Sequence, residues 1–137
     1  MVTGTQTAAE VAERIKILAT SRYLDGQSEP EENQYVWAYR VQIENLSDRS
    51  VQMRTRHWII TNALGMVQEV HGAGVVGHLP VIEPGGRFDY ESGTPLRTAN
   101  GIMHGAFRFL VLGPGMVIKV PVPGFSLDSD EIPTRVN

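Results

Sequence analysis

The chain has 137 residues, no cysteine, and 12 basic against 15 acidic side chains, for a formal charge of −3. That length suits one domain with a real hydrophobic core, and the lack of thiols excludes thiol catalysis, disulfide scaffolding and cysteine-based zinc sites. Interspersed charges of both signs argue against broad nonspecific nucleic-acid binding, and no apolar run approaches the roughly 20 residues that span a bilayer. The expectation is a soluble, cytoplasmic protein.

The first ten residues lack the basic and apolar regions of a signal peptide and read as a flexible tail. The domain is expected over 11–127, with a second tail over 128–137. From there the apolar period is near two. Ile15, Ile17, Ala19, Ser21 and Tyr23 alternate with other residues up to the turn pair Asp25-Gly26. Tyr35, Trp37, Tyr39, Val41 and Ile43 then define a strand with one buried aromatic face. Asn45 to Ser50 supplies turn residues, and Val51 to Thr61 is rich in β-branched and aromatic side chains. The pair Tyr35–Asn45 and Val51–Thr61 therefore reads as a hairpin. Asn62 to Gly65 is a turn, and Met66–His71 and Arg87–Ser92 are short strands. Gly101–Leu112 is a long strand, and Gly113-Pro114-Gly115 turns the chain into Met116–Val122. About seven strands with frequent glycine and proline turns and no helical pattern predict an all-β fold, an antiparallel β-sandwich or barrel.

His71-Gly72-Ala73-Gly74-Val75-Val76-Gly77 spells G-x-G-x-x-G. In a dinucleotide-binding unit those glycines act with a following helix, which Pro80, Pro84 and Gly85-Gly86 forbid here. One remaining reading is geometric, with glycines serving positive φ or close backbone approach where the chain crosses between strands. The other is an anion nest formed by successive amides of Gly72, Ala73, Gly74, Val75 and Gly77. Arg56 is then the expected helper, with Arg54 emerging on the same strand face unless a bulge resets the register. The competing role for these arginines is solvation of the outer face or pairing with a carboxylate such as Glu44.

Four histidines, His57, His71, His78 and His104, show no mutual i, i+2 or i, i+4 spacing. His71 and His78 flank the glycine loop, and His57 and His104, set between apolar neighbours, read as hydrogen-bonded structural residues, so neither a metal site nor a cofactor is expected. No nucleophile elbow or HExxH motif is present, and Glu69, Glu83, Asp89 and Glu91 form no recognisable acid–base pair. Catalysis is not expected. Tyr35, Trp37 and Tyr39 are assigned to the core, and an exposed apolar patch among Tyr23, Phe88 and Tyr90 would mark a partner surface.

Several ordered blocks carry a resemblance. Glu69-Val70-x-Gly72-x-Gly74-Val75-Val76-Gly77 with Pro80 and Pro84-Gly85, Arg56-x-Trp58-x-Ile60-Thr61, Tyr90-x-Ser92-Gly93 and Thr98-x-x-Gly101-x-Met103-x-Gly105 resemble the ApaG family over about Ile15 to Leu127. The resemblance implies a fibronectin type III- or immunoglobulin-like β-sandwich. It also implies an association with cobalt tolerance and magnesium efflux, without an agreed biochemical activity. The expected function is thus a non-enzymatic binding domain that contacts an unidentified protein partner within divalent-cation homeostasis. The alternative is phosphate, pyrophosphate or nucleotide binding by the glycine loop. Neither a membrane nor a nucleic acid is expected as partner, and uncovered edge strands leave a homodimer open.

Overall fold

The computed structural model describes residues 6–75 and 77–129. Two antiparallel sheets form the sandwich. One has the order β1-β2-β6, built from β1 (Ile15–Tyr23), β2 (Tyr35–Asn45) and β6 (Arg87–Leu96). The other has the order β4-β3-β7-β8, built from β3 (Val51–Asn62), β4 (Val67–Ala73), β7 (Asn100–Val111) and β8 (Met116–Asp128), with the short β5 (Val81–Ile82) also on β3. The seven strands expected are present, several of them longer, and β5 is an eighth. No helix among the described residues is long and apolar enough to cross a membrane.

The expected β2–β3 hairpin does not form, because the two strands lie in opposite sheets. Each carries a buried aromatic face, and the two faces satisfy one another across the core. Tyr39 and Trp58 meet edge to face with centroids 5.5 Å apart, a favoured aromatic geometry. The intervening segment is a corner organised by Asn45, which is fully buried. Its amide donates to the carbonyls of Arg49 at 2.7 Å and Ile82 at 2.9 Å. Its Oδ1 accepts from the backbone and hydroxyl of Ser47. A buried amide satisfied this fully costs little and fixes where the chain changes sheets.

A second correction concerns the N-terminal segment. Ala8–Glu13 is a short helix, α1, which starts inside the tail expected over 1–10 and crosses into the domain expected from residue 11. Thr7 and Glu10 form a reciprocal capping box, with Thr7 N donating to Glu10 Oε1 at 2.8 Å and Glu10 N donating to Thr7 Oγ1 at 3.2 Å. The Thr-x-x-Glu spacing signals such a start, but six residues are too few to display a 3.6 period. Val11 on this helix is fully buried. At the other end, Asp128 closes β8 and Ser129 is buried, where a tail was expected from residue 128; residues 1–5 and 130–137 of the expected tails lie outside the described residues.

Trp37, Trp58, Phe107, Phe109, Ile43, Met53 and Met103 fill the space between the sheets, each contributing about 2–3 kcal/mol of burial. On one side β1 closes over β8. The Ser21 hydroxyl donates to the Ser126 carbonyl at 2.7 Å, and the Trp37 indole N–H donates to the Asp128 carbonyl at 2.9 Å. On the other side the edges of β4 and β6 are not bonded to each other.

Candidate functional site

The glycine loop begins inside β4. Gly72 and Ala73 pair with Arg56 and Thr55 of β3, so part of the expected loop is ladder. A bulge between Met53 and Thr55 shifts the register of β3. It separates the two arginines expected to act together. Arg54 is exposed with the outward residues, whereas Arg56 shares the face of buried Trp58 and Ile60. The Arg56 guanidinium lies flat on Gly72, where a Cβ would come within 2.6 Å of its Cζ. Arg56 Nη1 donates to the carbonyls of Gly74 at 2.7 Å and Ala73 at 3.1 Å.

The loop amides are likewise used within the fold. Gly74 N donates to Arg54 O, Val75 N to His78 O, and His78 N to Val75 O. An anion nest needs such amides converging on an open concavity, so this part of the expected mechanism meets a structural obstacle. Gly74 and Gly77 adopt φ of +58° and +78°. A Cβ on Gly74 would also strike the His78 carbonyl. This tight turn drives Val75 into the core, where it is fully buried. Val75 and Arg56 thereby plug one half of the β4–β6 side.

Tyr23, Phe88 and Tyr90 form no exposed apolar patch and belong largely to the interior. Tyr90 is buried, and Tyr23 and Phe88 pack half-buried against the core. Burial pushes the Tyr90 hydroxyl well above the ordinary phenol value, Tyr39 adds in the same direction, and Arg56 and the Trp58 side chain pull against it. Neither the Tyr90 hydroxyl nor the Trp58 indole N–H completes a hydrogen bond of standard geometry.

On the outer face of the second sheet, register assembles a cluster that linear spacing hides. His57 of β3 sits directly opposite His71 of β4, and Glu69, two residues before His71, shares its face. His57 Nε2 is 2.8 Å from Glu69 Oε1, and His71 Nε2 is 3.6 Å from the same oxygen. The two imidazoles stack with centroids 4.0 Å apart and planes 12° from parallel. The His57 hydrogen bond holds the Glu69 carboxyl below its usual range; desolvation opposes this, and His57 and His71 charge reinforces it. The signal in the sequence is Glu69-x-His71, an i, i+2 pair that places a carboxylate and an imidazole on one face of β4. Arg108 and Lys119 line the same shallow depression, while His78 lies in the glycine turn and His104 on β7.

The carboxylates weighed for catalysis are dispersed. Asp89 is held by Arg87 and Arg40, each at 3.0 Å, and Glu91 lies 4.0 Å from Arg22. Glu69 belongs to the histidine cluster.

The other half of the β4–β6 side is a cleft of about 420 Å³ bordered by Val36, Ile60, Met66, Val67, Pro95 and Leu96. Leu64, Met66 and Val67, at the β3–β4 turn, are 76%, 57% and 61% exposed. Among the described residues β4 pairs only with β3, so its outer edge offers unpaired backbone groups beside this apolar rim.

The family model of the ApaG domain matches residues 25–111, from the turn after β1 to the end of β7. The chain belongs to the ApaG family. It is 51% identical to Protein ApaG of Azorhizobium caulinodans over 115 residues, covering 84% of this chain and 88% of that one. It is 49% identical to Protein ApaG of Rhodospirillum centenum over 129 residues, covering 94% and 98%. Among solved structures, the crystal structure of a putative ApaA protein from Bordetella pertussis superposes with a TM-score of 0.82 at 41% identity, covering 86% of this chain and 95% of that one.

Proposed function

We propose that this ApaG domain is a non-enzymatic interaction module that takes an extended segment of a partner protein along the outer edge of β4. The observation that carries this reading is the coincidence of an unpaired strand edge with an apolar cleft and three exposed apolar side chains, Leu64, Met66 and Val67. Strand addition supplies main-chain hydrogen bonds along the edge, and a neighbouring pocket selects alternate side chains of the guest. Exposed apolar groups clustered at such an edge are a liability unless something covers them. The setting for this adaptor role is divalent-cation homeostasis, as the family resemblance implies.

The test uses the full chain as bait, followed by mapping of the recovered partner to a short peptide and hydrogen exchange of the complex. Binding should protect the amides of Val67 to Ala73, and Met66→Asp should weaken it at least tenfold. Protection confined to another surface, or equal binding by the variant, removes this reading.

A further inference from the structure

The cluster on the outer face of β3 and β4 supports an inference independent of the cleft. We infer that His57, Glu69 and His71 form a binding site for one divalent transition-metal ion of borderline softness, such as zinc or nickel. One ring nitrogen from each of His57 and His71 and a Glu69 carboxylate oxygen lie within 4.8 Å of one another. Two imidazole nitrogens and one carboxylate oxygen suit zinc, nickel or copper, whereas magnesium and calcium favour all-oxygen sets.

The spacing fits the size of such an ion. Ligands about 2.05 Å from a tetrahedral centre lie about 3.3 Å apart. The two separations from Glu69 Oε1, 2.8 Å and 3.6 Å, straddle that value. Neighbouring strands hold the donors in place, since His57 and His71 are a cross-strand pair and Glu69 is the next residue on the same face of β4. Small rotations suffice to turn this arrangement into a chelate. The parallel stack must splay so that both nitrogen lone pairs converge, and His71, 69% exposed, can rotate without disturbing the core.

Exposure also sets the character of the site. Three protein ligands on an open sheet face leave a fourth position for water or for a group presented by another molecule, the arrangement of an open rather than a closed structural site. Arg108 and Lys119 share the depression. Their positive charge opposes the ion and favours an anionic oxygen at the fourth position.

The experiment titrates zinc into the tag-free full chain by calorimetry and follows the histidine side-chain resonances with nickel as a paramagnetic probe. One zinc per chain should bind, and nickel should broaden His57 and His71 more strongly than His104, which lies on the neighbouring strand of the same face. His71→Ala and Glu69→Gln should each weaken zinc at least tenfold, as expected when loss of supporting residues alone costs 10- to 100-fold. His104→Ala should bind as the parent does, and magnesium in large excess should not compete. The inference is overturned if about 1 mM zinc gives no saturable binding, if nickel broadens His78 or His104 instead, or if both ligand variants retain parental affinity. Melting curves of the two variants confirm that any loss reflects a missing ligand, since both side chains are more than half exposed.

Discussion

The two sides of the sandwich are built on opposite terms. Where β1 meets β8, side chains reach across to backbone carbonyls, Ser21 to Ser126 and Trp37 to Asp128, and α1 adds a buried valine. Where β4 faces β6, one half is plugged by Val75 and Arg56, and the other half is left as an apolar cleft. The sealed side uses its polar groups internally and keeps few for other molecules. The open side shows how a small sandwich can be cohesive and still present a strand edge: it closes only as far as the glycine turn reaches.

The sharpest way to test this division is Gly74→Val. It forces a β-branched residue to φ +58° and against the His78 carbonyl, so about 3 kcal/mol of stability and roughly 10 °C in Tm should be lost by calorimetry. A near-parental Tm would mean that the plug does not support the core. Next comes the seam. Trp37→Phe removes the indole bond to Asp128 and part of a fully buried side chain, and urea unfolding should show a loss of about 2 kcal/mol. Thr7→Ala dissolves the capping box of α1 and should cost about 1 kcal/mol by the same measurement. Met66→Asp, placed on the open rim, should alter stability by less than about 0.5 kcal/mol while disrupting partner uptake. A large stability loss there would make the two sides alike.

The smallest expected effect lies on the outer face of the first sheet. The hydrogen bond from Arg87, more than the opposing desolvation, holds Asp89 below its ordinary value of 3.8, with Arg40 adding in the same direction. A carboxyl whose folded pKa is depressed contributes stability above its unfolded pKa and loses it as pH falls through the lower folded value. Asp89→Asn should therefore flatten the decline in Tm below about pH 4. An identical acid limb in parent and variant would show that the triplet has no energetic coupling.

Much of this fold is legible in the residues because strand alternation is a local signal. Trp37, Tyr39, Val41 and Ile43 announce their buried face without knowledge of any partner. The β2–β3 connection is different: Asn45 and Ser47 favour a turn whether the chain doubles back in one sheet or crosses to the other. Only the matching aromatic faces of Tyr39 and Trp58 decide between them. The direction of Arg56 depends on a bulge that its immediate neighbours do not reveal. The histidine cluster depends on register, since fourteen positions of chain separate His57 from His71 and only pairing brings them together. The glycine motif is conspicuous in sequence, yet its chemistry is turned inward by backbone bonds that no motif records.

The bulge in β3 also divides the edge that covers it. Val51 and Gln52 pair with the two-residue β5, and pairing with the seven-residue β4 starts at Thr55. A guest strand laid on β4 as proposed would therefore be measured as well as gripped: about seven residues, some 23 Å of extended chain, before the kink at Gly74 ends the track. A longer flat edge would accept indefinite stacking of like upon like. In the proposed strand addition this edge would work as a ruler, with room for a short segment and none for a sheet.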